Sequence, residues 1–78
     1  MAIEIADRIT VDSAVRFGKP VIKGTRVPVN VIVGQVASGM RHEEIAEEYA
    51  ISVEDVRAAL RYAHAVLDQE TVGILAKS

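Results

Sequence analysis

Two amphipathic runs with almost no linker between them constrain this chain most. In "HEEIAEEYA", Ile45, Ala46 and Tyr49 fall on one side of a helix, and Glu43, Glu44, Glu47 and Glu48 on the other. Two of those acids lie near the helix N-terminus, where the backbone dipole favours negative charge. In "ISVEDVRAALRYAHAVLDQE", Ser52 is a good N-cap with Asp55 three residues on, a weaker form of the capping-box partner. Val53, Val56, Leu60, Ala63 and Leu67 then recur at alternating steps of three and four, a heptad-like seam. Two helices joined this closely suit a helix-turn-helix over 42–61. The buried candidates are Ile45, Tyr49, Ile51, Val56 and Ala59. Ala46 is the small residue at the crossing, and Ala50 takes the turn, where glycine is commoner. A plain two-helix hairpin in a small bundle satisfies the same spacing.

Upstream, Val29, Ile32, Val33, Val36 and Ala37 mark one face of a further helix, although Val27, Val29, Val31 and Val33 also alternate as a strand would. Pro28 at its start and Gly39 at its end favour the helix. Gly34 and the β-branched residues weaken it. Arg8–Asp12 reads as a short strand with Ile9 and Val11 on one side. Val21–Lys23 and Arg26–Val27 read as two strands around Gly24-Thr25, with glycine first as a type II′ turn requires. Pro20 and Pro28 bracket that hairpin. The expected architecture is therefore α+β, mainly α, in a single domain spanning 1–78. A β-hairpin region at 8–29 precedes a three-helix core at 29–68, and a flexible tail at 69–78 follows.

The totals exclude more than they identify. The 78 residues carry no cysteine, so neither a disulfide framework nor a thiolate metal site is expected. His42 and His64 are the only histidines, and "HEEIA" lacks the second histidine of a zinc-protease helix. Ser13, Ser38 and Ser52 sit in turn or cap contexts. Gly18 and Gly24 are one residue too far apart for a phosphate-binding loop, and Thr25 stands where its lysine belongs. No enzyme, metal or cofactor is expected. Nor is a signal peptide or membrane span, which suits a cytoplasmic protein.

Charge is unevenly placed. The net charge is −2, with +2 over residues 1–35 and −4 over residues 36–78. A mildly acidic total argues against strong nonspecific nucleic-acid affinity but allows a local basic face. If the third helix enters a major groove, its exposed N-terminal half offers Ser52, Glu54, Arg57, Ala58 and Arg61. Arg57 and Arg61 suit guanine or phosphate, while Glu54 and Asp55 repel phosphate. The alternative is a solvated face with a Glu54–Arg57 ion pair. Arg16, Lys19, Lys23 and Arg26 make an acid-free basic hairpin, able to grip phosphates or simply to keep an edge strand soluble.

The stretch from Arg8 to Ala63 resembles the domain-of-unknown-function family 433. The matching pieces are Gly18-Lys19-Pro20, Ile22, Gly24-Thr25-Arg26-Val27, Gly39, Glu43-Glu44-Ile45, Val56, and Ala59-Leu60 with Tyr62-Ala63. The family's proline before the first motif is absent, with Ser13 or Ala14 near that place. The resemblance implies a helix-turn-helix antitoxin of a type II toxin–antitoxin pair, binding a PIN-like nuclease toxin and its own operator DNA, commonly as a homodimer. On that reading Ser52, Arg57 and Arg61 meet DNA, and Lys19, Lys23 and Arg26 meet phosphates. Tyr62, Leu67, Ile74 and Leu75, apolar beyond the compact core, are the expected toxin or dimer contacts. An acidic C-terminal half suits a basic, RNA-handling partner. The rival is a protein-interaction module on the same fold that binds no DNA.

Overall fold

The computed structural model describes residues 1–70, in which three strands precede three helices. β1 (Ile3–Ala6), β2 (Ile9–Val11) and β3 (Val21–Ile22) form an antiparallel sheet in the order β1-β2-β3. The helices are α1 (Val29–Ala37), α2 (His42–Tyr49) and α3 (Val53–Glu70). The chain is α+β and mainly helical, as its sequence suggests. α3 continues to Glu70, so positions 69 and 70 of the expected tail are helical; residues 71–78 lie outside the described residues.

The sheet differs from expectation in its pairing. β1 has no counterpart in the sequence reading, because its Ile3 and Ile5 are exposed and leave no buried alternation. It pairs with β2 through Ile3↔Val11, Glu4↔Thr10 and Ala6↔Ile9, with a bulge before Ala6. Asp7 and Arg8 make the connecting turn, with Arg8 at φ 66°. β3 pairs with β2 through Ile9↔Ile22 and Thr10↔Val21, and the hairpin expected with Arg26–Val27 survives on its other edge only as a few bonds. The turn after β3 is also of another type. The Thr25 N–H donates to the Ile22 carbonyl at 3.0 Å, which makes Gly24 the third turn residue. Its φ of 78° at that place is the type II pattern. The Ile22 N–H reaches the Val27 carbonyl at 2.9 Å, and a single bridge, Val21↔Pro28, follows. Pro28 has no N–H to extend that ladder, and α1 begins at the next residue.

α1 and α2 end in the same way. After α1 the Gly39 N–H bonds the Val36 carbonyl and the Met40 N–H bonds the Gln35 carbonyl, with Gly39 at φ 100°. After α2 the Ala50 N–H bonds Glu47 and the Ile51 N–H bonds Ala46, with Ala50 at φ 56°, ψ 44°. Both are Schellman closures, and both satisfy the last carbonyls while turning the chain sharply. At α2 an alanine occupies the left-handed position that glycine takes at α1. α2 opens with the Glu44 carboxylate accepting the Arg41 N–H at 2.9 Å. The Tyr49 hydroxyl accepts from the Gln35 side-chain amide at 2.9 Å, joining α2 to α1.

One core joins sheet and helices. Ile9 and Ile22 from the sheet pack with Val29 and Ile32 of α1, Ile45 of α2, and Val56, Ala58 and Ala59 of α3. The helix-turn-helix core residues behave as the spacing predicts: Ile45, Val56 and Ala59 are fully buried, and Tyr49, Ile51 and Ala46 pack around them. Among the described residues no buried side-chain nitrogen or oxygen lacks a partner. None of the helices among the described residues is long and apolar enough to cross a membrane.

The left-handed alanine is a measurable weak point. Left-handed backbone at a residue with a Cβ costs on the order of 1–2 kcal/mol. Ala50 is exposed, so loss of its methyl leaves no cavity. Ala50→Gly is expected to stabilise the domain by about 1 kcal/mol, raising Tm by roughly 4–8 °C for a chain of this size. Thermal melts followed by circular dichroism check this.

Candidate nucleic-acid and partner interface

α3 carries most of the candidate site, and its start is firmly built. The Asp55 N–H donates to the Ser52 hydroxyl, and the Ser52 N–H donates to the Asp55 carboxylate, each at 3.0 Å. This reciprocal pair satisfies two backbone donors that would otherwise face solvent. The Asp55 carboxylate has a second task. Its Oδ1 accepts from Arg8 Nη1 at 3.0 Å, across 47 residues of chain. Partial burial pushes the Asp55 carboxyl up, but the Ser52 N–H, the Arg8 guanidinium and the Ser52 hydroxyl together hold it below the ordinary value.

The partner of that contact is the β1–β2 turn, which lies along one side of α3. Its Arg8 meets Asp55 and its Asp7 meets Arg61 Nη2 at 3.4 Å. Asp55 and Arg61 are six residues apart on the helix, and Ala58 lies midway between them. Ala58 is accordingly 2% exposed and belongs to the core with Ile9 and Ile22. This corrects the expectation that Ala58 is an open base-reading position: the sheet covers that side of α3. The exposed strip that remains runs along Glu54, Arg57 and Arg61.

Each expected recognition residue on that strip has an internal partner. Arg57 Nη1 lies 2.7 Å from Glu54 Oε1. Arg61 meets Asp7, and the Ser52 hydroxyl serves the cap. Exposed pairs of this kind contribute little to stability and exchange readily, so they redirect the arginines without locking them. The hairpin cations divide. Lys23 Nζ meets Glu4 Oε1 at 3.0 Å, and this hydrogen bond, with that from the Arg8 N–H, keeps the Glu4 carboxyl below its usual range. Lys19 and Arg26 are exposed and make no ion pair among the described residues. Arg16 Nε donates to the Arg26 carbonyl at 3.1 Å, drawing the segment around Arg16 against the loop after β3.

A second feature lies further along α3. Beyond the core contact the helix continues with Val66 and Leu67 exposed at 36% and 56%. Between this stretch, α1 and the entry to β3 runs a groove of about 480 Å³. Its walls include Pro20, Val29, Val33, Tyr62 and Leu67, and Lys19 stands on its lining. Tyr62 and Leu67, expected as partner contacts, are thus brought together in one apolar groove. Ile74 and Leu75 lie outside the described residues. Sequence reasoning missed the groove because its walls come from three separate segments. Among the described residues no group of three or more His, Asp or Glu side chains is placed to hold a metal ion.

Comparison with known proteins fits this architecture. The model of the protein family of unknown function DUF433 matches residues 9–63, from β2 into α3. The chain belongs to DUF433. The match includes the loop after β3 and the whole helix-turn-helix, while β1 and the outer end of α3 lie beyond it. An uncharacterised protein of Archaeoglobus fulgidus is 63% identical over 27 residues, covering 35% of this chain and 75% of that protein. Among solved structures, Rv2018 from Mycobacterium tuberculosis is similar with a TM-score of 0.62 and 27% identity. The similarity covers 67% of this chain but only 24% of the Rv2018 chain, so this DUF433 chain spans about a quarter of that protein.

The Asp55 junction makes a pH-dependent contribution of definite sign. Its folded carboxyl lies below the ordinary value of about 3.9. The stabilisation is therefore complete above that value and is lost as pH falls through the lower folded one. Asp55→Asn is expected to lower stability at pH 7 by about 1 kcal/mol through the weakened cap, and to flatten the loss of stability as pH falls below the ordinary carboxylate value of about 3.9. Urea unfolding at stepped pH measures both.

Proposed function

We propose that this DUF433 chain is an antitoxin of a type II toxin–antitoxin pair, binding its own promoter DNA through α2 and α3 and a PIN-like nuclease toxin through an apolar surface. The observation that carries the reading is the α2–α3 unit. It has a left-handed residue at the turn, buried Ile45, Val56 and Ala59, and an exposed arginine strip at the start of the second helix. Such a helix places its first turns at base edges, with flanking cations on phosphates. Arg57 and Arg61 leave Glu54 and Asp7 for DNA on this reading, and Lys19 and Arg26 supply phosphate contacts. The groove containing Tyr62 and Leu67 supports the protein-binding half. The cytoplasm is the compartment that goes with this function.

A second reading is favoured by a specific observation. Both arginines of α3's exposed strip face a carboxylate, and the sheet covers the Ala58 side. A protein-interaction module without DNA binding has no need of a bare recognition helix.

Fluorescence anisotropy of the purified chain with its promoter DNA, across a salt series, separates the two. The repressor reading expects a specific complex that weakens steeply with salt. Arg57→Ala should weaken it by about 1–3 kcal/mol and relax specificity. Arg26→Ala should lower the magnitude of the salt slope by about one. Absence of a complex at low salt, alone and with the toxin, leaves the interaction module as the function.

A further inference from the structure

Phe17, the only phenylalanine, is 99% exposed. A large apolar ring fully in water is unusual in a chain with a compact core, and its backbone makes it more so. Arg16 and Phe17 both adopt left-handed conformations, at φ 51° and φ 56°, and Gly18 follows at φ 80°. Consecutive left-handed residues with side chains are strained, and such strain persists only where surrounding bonds enforce it. Those bonds are present. The Gly18 N–H donates to the Val15 carbonyl and the Lys19 N–H to the Arg16 carbonyl, both at 3.1 Å, while the Arg16 side chain grips the Arg26 carbonyl. The turn is held in shape, and its shape presents the ring outward.

The groove begins two residues later, at Lys19. Two trans peptides separate the Phe17 and Lys19 Cα atoms by at most about 7.6 Å. The exposed ring is therefore carried on the backbone close to an open apolar groove, and it does not fill the groove of its own chain. We infer that the Phe17 ring of each copy of this chain enters the groove between α1 and α3 of a second copy, giving a two-fold dimer.

Three properties support a second copy as the occupant. A knob and a hole side by side on one surface form a self-complementary patch, since a two-fold axis between them makes both insertions at once. The chemistry of the hole suits a phenyl ring: aliphatic walls from Val29, Val33 and Leu67, the Tyr62 ring for edge or offset stacking, and the Lys19 ammonium for a cation–π contact. The groove volume of about 480 Å³ is ample for one phenyl group. Area sets the strength. Two rings and the groove surfaces they cover amount to on the order of 800 Å², the size of a transient contact rather than of a permanent dimer. The result is a weak, concentration-dependent dimer. It requires neither DNA nor toxin, and a second copy and the toxin would compete for the groove, so its failure would leave the proposed function standing.

Sedimentation equilibrium of the full chain, from roughly 1 μM to roughly 1 mM, brackets an association of this size. The expected result is a monomer–dimer equilibrium that Phe17→Ala and Val66→Glu each weaken by roughly tenfold or more. The two changes combined should weaken it little further, because each removes the same contact. Phe17 makes no core contact, so circular dichroism should show Phe17→Ala folded. The chain has no cysteine, which makes crosslinking clean. An oxidised mixture of Phe17→Cys and Val66→Cys chains should yield the mixed covalent dimer in preference to either like pair. A chain that stays monomeric over the whole range overturns the inference. So does a dimer indifferent to Phe17→Ala, or one crosslinked only between like positions.

Discussion

The Asp55 carboxylate ties the start of α3 to the β1–β2 turn, on the rim of the core that sheet and helices share. It caps the first turn of α3, and through Arg8 it binds the turn that starts the sheet. Neither interaction is strong alone, since an exposed or half-exposed ion pair contributes modestly in water. Their combination on one side chain matters more, because it sets the angle of the β1–β2 turn against α3. The Asp7–Arg61 contact repeats the tie two turns along the helix. Between these two ties the core closes over Ala58, where a side chain of larger volume would crowd the core it shares with Ile9 and Ile22.

The same docking shapes the surface available for recognition. A free helix-turn-helix presents the whole outer half of its second helix. Here the sheet takes one side of α3, and the remaining strip carries arginines that face acids of the same chain. Recognition through that strip exchanges one set of ionic contacts for another, so charge alone gives it little net affinity. Lys19 and Arg26, without ion pairs among the described residues, do not meet that competition. On the proposed DNA-binding reading, an interface would draw on more than α3 and would include the basic segment before α1.

α3 is longer than the core needs. At 18 residues it extends about 27 Å, and its buried positions end at Ala59. The outer half contributes Tyr62, Val66 and Leu67 to a groove facing α1 and leaves Val66 and Leu67 exposed. On the rim near Lys19, a turn held in left-handed backbone keeps Phe17 outside. Stability of the single chain explains neither feature. Both fit a surface built to be covered.

Local rules in the sequence determined the helices and their ends: the apolar spacing of Ile45, Val56 and Ala59, the Ser52–Asp55 cap, and the turn residues Gly39 and Ala50. These are interactions over three or four residues, so the letters alone carry them. The family resemblance was legible for the same reason, since its motif lies in one continuous stretch. Only the tertiary structure decided what depends on distant segments. β1 was invisible because its isoleucines face solvent and its partner, β2, also bonds β3. The type of turn at Gly24 depended on which strand β3 would join, and Ile9 supplied the answer from thirteen residues upstream of Ile22. Ala58 looked exposed from its neighbours on the helix until the sheet was laid over it. The groove exists only where Pro20, Val33 and Leu67 converge. Short-range order is encoded in spacing, whereas a binding surface is made by packing, which no single segment contains.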